Sequence, residues 1–169
     1  MTPGSVDAAF PTIIIASRRM AGDLLLSQSA NIDCLISIGG PADPYPAGYD
    51  RVAKRLRLVF SDIDCEVDDD IAPCREDVEK IVAFANVVRR SQGTTLVHCE
   101  AGISRSTAAA LIVLATIARR GREADAVAEL LRILPHAIPN DLMVRLADEV
   151  LGCGGQLVAA VEESAAGED

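Results

Sequence analysis

Apolar residues fall in short dense runs along the first hundred positions and in a helical rhythm between and after them. Residues 12–16 (TIIIA), 34–38 (CLISI), 55–60 (RLRLVF) and 94–98 (TTLVH) have the length and β-branched content of strands. Val78, Ile81, Val82, Ala85 and Val88 recur at helical spacing behind Pro73, which fits a first helical turn, and residues 91–93 end that segment. The run STAAALIVLATIARR (106–120) is apolar on nearly every side, as expected of a helix buried against a sheet. Two more helices are predicted at EADAVAELLRIL and DLMVRLADEVL. GGPADPYPAGYD (39–50) reads as a loop, because its three prolines oppose regular structure. The alternation predicts an α/β fold: a central, mostly parallel sheet of four to five strands flanked by helices.

A chain of 169 residues suits one domain. Residues 1–11 read as a loose lead-in and residues 162–169 as a frayed acidic tail. Half the residues are apolar but only 3% are aromatic, so Ala, Val, Leu and Ile must build the core and no platform for stacking bases exists. A net charge of −9 disfavours nucleic acid and anionic membrane as partners, since both select a basic surface. Lys54 and Lys80 are the only lysines, an arginine bias that fits a GC-rich bacterial genome and carries no functional meaning. Five scattered cysteines without a CxxC pair suggest neither a disulfide framework nor a zinc site, and so a reducing compartment. No basic leader opens the chain and TIIIA is too short to span a bilayer, so a cytoplasmic location is expected.

The chemistry concentrates in VHCEAGISRST (97–107), where a strand pattern gives way through a tight turn to the buried helix. Amide N–H groups of such a turn and of the helix start converge into an anion site, and Gly102 gives the backbone freedom to close it. Cys99 lies at the floor of that cradle near the positive end of the helix, a setting that favours thiolate over thiol. Arg105 offers a planar fork that matches two oxygens of a tetrahedral dianion, so the site suits phosphate. A lone cysteine ending a strand is usually an inert core residue. The spacing reverses that reading: Cys-x5-Arg-[Ser/Thr] is expected by chance only about 0.04 times in a chain with this composition.

HCEAGISRS resembles the His-Cys-x5-Arg-[Ser/Thr] signature of the cysteine-dependent phosphatases, specifically the compact dual-specificity and tyrosine type in a bacterial-looking form. The similarity extends from the first strand and ASRRMA to IPNDLMVRLADEVL, which looks like the family's Pro-Asn-led final helix. The resemblance implies that Cys99 attacks phosphorus to form a cysteinyl-phosphate, that Arg105 holds the equatorial oxygens, and that no metal or other cofactor is required. It further implies that Ser106 donates to the departing sulfur and that His98 sets the thiolate through the loop's hydrogen bonds. Glu100, Ala101, Gly102, Ile103 and Ser104 would complete the cradle with their amides. Ser106 also suits a plain helix cap.

The family's general acid comes from a separate loop some thirty residues before the cysteine. FSDIDCEVDDD offers Asp62, Asp64, Asp68, Asp69 and Asp70, although an acidic run is more often a solvated face. Asp62 is favoured because it directly follows the strand pattern and Phe60-x-Asp62 resembles the acid loop of several relatives. The raw spacing to Cys99 fits Asp68 or Asp69 better, and Asp64 stays open. Asn140 fits either a cradle support or a helix cap, His136 has no evident task, and Arg18 and Arg19 are either pocket-facing or solvated. The expected activity is hydrolysis of phosphomonoesters on a phosphorylated protein or peptide. Glu100 and a cradle without lysine argue against polyphosphorylated inositol lipids. A catalytically idle phosphate-binding module and a sulfur- or arsenate-transfer enzyme are the competing readings.

Overall fold

A computed structural model describes residues 9–27 and 30–167; most of the predicted lead-in and the last two tail residues lie outside them. Among the described residues, four strands form one fully parallel sheet: β1 (Ile13–Ser17), β2 (Ile32–Gly39), β3 (Lys54–Val59) and β4 (Thr94–Cys99), in the order β1-β4-β2-β3. The expected α/β class is therefore what forms, with four strands. β4 lies between β1 and β2, with Val97 paired to Ile15 on one side and Ile36 on the other. That placement gives the end of β4, where Cys99 sits, support from both neighbours.

Among the described residues six helices flank the sheet or pack on those that do: α1 (Arg18–Leu26), α2 (Arg75–Arg90), α3 (Arg105–Ala118), α4 (Glu123–Ile133), α5 (Asp141–Leu151) and α6 (Gln156–Ala166), the last lying on α4 and α5. Thirteen of the fourteen residues of α3 are buried, which its nearly uniform apolar sequence requires. Its alanines let α2, α4 and α5 approach closely around it, and Ile36, Ile38 and Val97 supply the sheet side of that core. The opposite face is thinner: Ala21 and Leu25 of α1 pack on Leu35, Val52 and Leu96.

The structure departs from the sequence reading at several ends. Pro73 lies outside α2, whose N-cap is Cys74, because Asp77 reaches back to the Cys74 amide at 2.9 Å and starts the helix there. Within ASRRMA the strand β1 ends at Ser17 and helix α1 begins at Arg18, started by Ser17 accepting from the Met20 amide at 3.2 Å. The proline-rich loop ends in a short 3-10 turn at Tyr49–Arg51, just beyond its last proline. Residues 162–166 of the acidic end continue α6. That helix is anchored at its start by the buried Asp148 carboxylate, which accepts from the amides of Gly155, Leu157 and Val158 at 2.7–3.1 Å. Among the described residues, no helix is long and apolar enough to cross a membrane.

Candidate active site

The turn from β4 into α3 wraps around the Cys99 sulfur. The Gly102 amide donates to Sγ at 3.2 Å, and the Ser106 hydroxyl lies 3.1 Å from it. Gly102 has φ +75° and is pressed against the end of β1: a Cβ there would stand 2.6 Å from the Ala16 carbonyl carbon and the Ser17 nitrogen. Only glycine satisfies both the backbone angle and the contact. Cys99 is 2% exposed and Ser106 fully buried, so the sulfur is the floor of the turn rather than a surface thiol. All five cysteines are free.

Arg105, 6% exposed, opens α3. Its Nη1 donates to the Phe60 carbonyl at 2.8 Å, which ties the cradle to the end of β3, while its buried Nε has no partner. A buried guanidinium N–H without an acceptor is costly unless something else supplies one. Glu100, Ala101 and Ile103 are exposed at the mouth. Arg18 does face this region, but its fork closes on Glu100 at 2.8 and 3.2 Å, so the two charges cancel there, whereas Arg19 is solvent-exposed.

His98 is fully buried behind the cradle, in a relay that the sequence reading did not include. Arg57 Nη1 donates to Ser37 Oγ at 2.8 Å, and Ser37 Oγ lies 2.7 Å from His98 Nε2. The Cys99 carbonyl can only accept, so Nδ1 of His98 carries the hydrogen, and in the neutral ring Nε2 accepts from the Ser37 hydroxyl. Nδ1–H of His98 then donates to the Cys99 carbonyl at 3.0 Å. Burial above all, with the nearby cations of Arg57 and Arg18, pushes the imidazole below its ordinary pKa and keeps it neutral in this tautomer. Arg57 also donates to the Asp43 carbonyl at 3.2 Å and stacks on Tyr45, 4.5 Å from the ring centroid. The polar Ser37 inside the apolar run CLISI was the available signal for this relay.

Asp62 stands on the exposed loop after β3 and is brought to the cradle by two contacts. Ser104 Oγ donates to Asp62 Oδ1 at 2.8 Å, and Asn140 Nδ2 donates to the same oxygen at 3.0 Å. Asn140 also donates to the Ile63 carbonyl, and its own Oδ1 accepts from the Met143 amide to cap α5, so it is both cap and support. Asp64, Asp68 and Asp69 are exposed and make no described side-chain hydrogen bond to the cradle. Asp70 lies 3.4 Å from the Ser61 hydroxyl, and His136 is exposed with no described contact to the cradle. Beyond Asp62 lies an open cavity of about 430 Å³, lined on its cradle side by Asp62, Ser104 and Asn140.

No family model and no curated protein matches the sequence. Solved structures match the fold over most of the chain. Human DUSP28 superposes with a TM-score of 0.62 at 22% identity, over 86% of this chain and 90% of its own. The Yvh1 phosphatase domain from Chaetomium thermophilum superposes at 0.56 with 20% identity, over 88% and 95% of the two chains. This chain has the dual-specificity phosphatase fold. PTPMT1, solved in complex with PI(5)P, also superposes at 0.56, with 17% identity over 94% of this chain and 95% of its own. In this phosphatase fold, Cys99 ends the strand that leads into the phosphate-loop position before α3.

Proposed function

We propose that the protein is a phosphomonoester hydrolase of the tyrosine or dual-specificity type, acting on phosphorylated protein through a cysteinyl-phosphate. The observation that carries this reading is the arrangement around one sulfur. Cys99 Sγ lies beneath the Gly102 amide and beside Ser106, the adjoining Arg105 has a buried unpartnered Nε, and a carboxylate from another loop is hydrogen-bonded to the same turn.

In the first step the Cys99 thiolate attacks phosphorus while the phosphorus–oxygen bond to the leaving group breaks. Arg105 Nε and the turn amides stabilise charge on the equatorial oxygens. Asp62, protonated, gives its proton to the leaving oxygen. In the second step Asp62 takes a proton from water as its oxygen attacks phosphorus, and the sulfur departs as thiolate with Ser106 donating to it. Inorganic phosphate leaves and the starting protonation state is restored. His98 takes no proton in either step; neutral and tied to the Cys99 carbonyl, it fixes the start of the turn. The free nucleophilic thiol requires a reducing compartment, and the cytoplasm supplies one.

The test is hydrolysis of p-nitrophenyl phosphate by the wild type and by Cys99→Ser. Turnover is expected to fall by more than about a thousandfold in the variant while its circular dichroism stays unchanged. A folded wild type that binds phosphate but turns nothing over would replace the hydrolase with a phosphate-binding module.

A further inference from the structure

The cavity beyond Asp62 points to a sequence preference for the substrate, an inference that rests on the proposed hydrolase. We infer that this cavity seats a lysine or arginine side chain adjacent to the phosphorylated residue, so that the preferred substrates are basic phosphopeptides. Three observations converge on it.

The first is position. The acid that protonates the leaving oxygen must stand on the leaving-group side, so the space beyond Asp62 is where the rest of a peptide runs. Arg105, 6% exposed and with an unpartnered buried Nε, does not line the cavity but directly follows Ser104, which does, so the proposed phosphate site adjoins it. At about 430 Å³ the cavity has room for a long side chain.

The second is charge. Asp64 and Asp141 line the cavity with Asp62, and none of the three is in an ion pair among the described residues. Arg145 is the cation that approaches, and it spends an N–H on the Asp64 carbonyl at 3.3 Å rather than on a carboxylate. Among the described residues, no cationic side chain lines the cavity. The other flank of the cradle differs, since Glu100 is neutralised there by Arg18.

The third is the apolar lining. Ile138 is 69% exposed and Val67 46% exposed, and both line the cavity with Ile63. Apolar surface bordered by carboxylates fits an aliphatic stem ending in a cation, and fits an acidic or short polar side chain poorly.

The experiment compares kcat/KM for a set of phosphotyrosine peptides that differ in one flanking residue: arginine, lysine, norleucine or glutamate. Each rate is normalised to the same protein's rate on p-nitrophenyl phosphate, which has no flanking residue. A preference of about tenfold for the cationic over the acidic peptide is expected at low salt, shrinking as ionic strength rises. Asp141→Asn and Asp64→Asn should each narrow that ratio, chiefly through KM, and Ile138→Ser should lower the advantage of arginine over norleucine less than it lowers both. Equal normalised rates for all four peptides, or a preference for glutamate or for a phosphoinositide vesicle, would overturn the inference and leave the hydrolase standing. Cys99→Ser protein titrated with the same fluorescent peptides reads the preference without turnover. A cationic preference in binding with no hydrolysis by the wild type would instead keep the seat and remove the hydrolase.

Discussion

The cradle between β4 and α3 and the acid loop between β3 and α2 supply complementary parts of one proposed reaction from opposite physical conditions. Cys99, Arg105 and Ser106 are 2%, 6% and 0% exposed and lie within eight consecutive residues, with α3 buried behind them. Asp62 is exposed, on a loop with no helix or strand, and meets the cradle through Ser104 and Asn140. A group that must hold developing charge gains from a dry, preorganised surround, because low dielectric strengthens every dipole aimed at it. A group that must deliver and recover a proton has to meet both solvent and the leaving oxygen, so it cannot be walled in. Rigidity is therefore spent on the phosphate side, and a few polar contacts suffice on the leaving-group side.

Arg105→Lys attacks the rigid half most directly after loss of the nucleophile. Lysine keeps the charge but loses the fork that reaches the Phe60 carbonyl with one nitrogen and leaves Nε for phosphate. A fall in kcat of about a hundred- to a thousandfold on phosphotyrosine peptide is expected. A fall of less than about tenfold would mean that charge alone, without planar geometry, accounts for the site. For the exposed half, Asp62→Asn should lower kcat on phosphotyrosine by about a hundredfold and far less on aryl phosphates whose leaving group departs unprotonated. If both substrates are unaffected and Asp64→Asn shows the leaving-group-dependent loss instead, the acid is Asp64 and the contacts of Asp62 are structural.

The same contrast explains what is legible in the amino-acid sequence alone. The cradle was legible because its parts are contiguous: a strand pattern, a glycine, an arginine at fixed spacing and an apolar helix occupy one stretch from Val97 to Ala118. The acid loop was less legible: FSDIDCEVDDD contains five aspartates of one chemistry, Asp62 is favoured only by its place after the strand pattern and its resemblance to an acid loop, and the contacts that bring it to the cradle are tertiary. Ser104 was readable as a cradle amide but not as the hydroxyl that meets Asp62, and Asn140 was split between two roles that its amide performs together. Ser37 and Arg57 were missed for a related reason. Each sits on a different strand from His98, and register decides whether a polar residue in an apolar run points at a buried histidine. Helix α6 was missed because Gly152, Gly154 and Gly155 resemble a chain end, whereas the buried Asp148 restarts the helix across them.

Asn140 sharpens the comparison, because one side chain serves both the packed and the exposed half. Asn140→Ala removes the cap of α5 and the donor to Asp62 together. Loss of such a cap costs about 1 kcal/mol, or roughly 2–4 °C in Tm for a chain of this size. A fall in kcat of about tenfold is expected alongside it from a less well placed acid. Asn140→Asp separates the roles, since aspartate caps a helix well but sets a second carboxylate against Asp62. Its Tm should stay closer to wild type than that of the alanine variant while its kcat falls at least as far. If kcat instead follows Tm across the pair, the contact with Asp62 has no part in placing the acid.

The smallest expected effect lies deepest in the rigid half, in the pH dependence of stability. His98 is buried and neutral, with its folded-state pKa held below the ordinary imidazole value of about 6.5 by burial first and by Arg57 and Arg18 after it. Below that ordinary value the unfolded chain binds a proton that the folded protein refuses, so protonation favours unfolding. The contribution is therefore complete above the ordinary imidazole range and is lost as pH falls from it toward the depressed folded value. Its slope is at most about 1.4 kcal/mol per pH unit. The exposed carboxylate of Glu100, whose pairing with Arg18 lowers its pKa, contributes a slope only below the ordinary carboxylate range. Urea midpoints at about pH 7.5 and about pH 5.5, on either side of the ordinary imidazole value, should differ in the wild type and converge in His98→Gln, which removes the titrating ring. His136→Gln, at the other histidine and on the surface, should leave the difference intact. An unchanged slope in His98→Gln would mean that the ring behind the cradle is protonated in the folded protein, and the relay from Arg57 through Ser37 would then have to run with its hydrogens reversed.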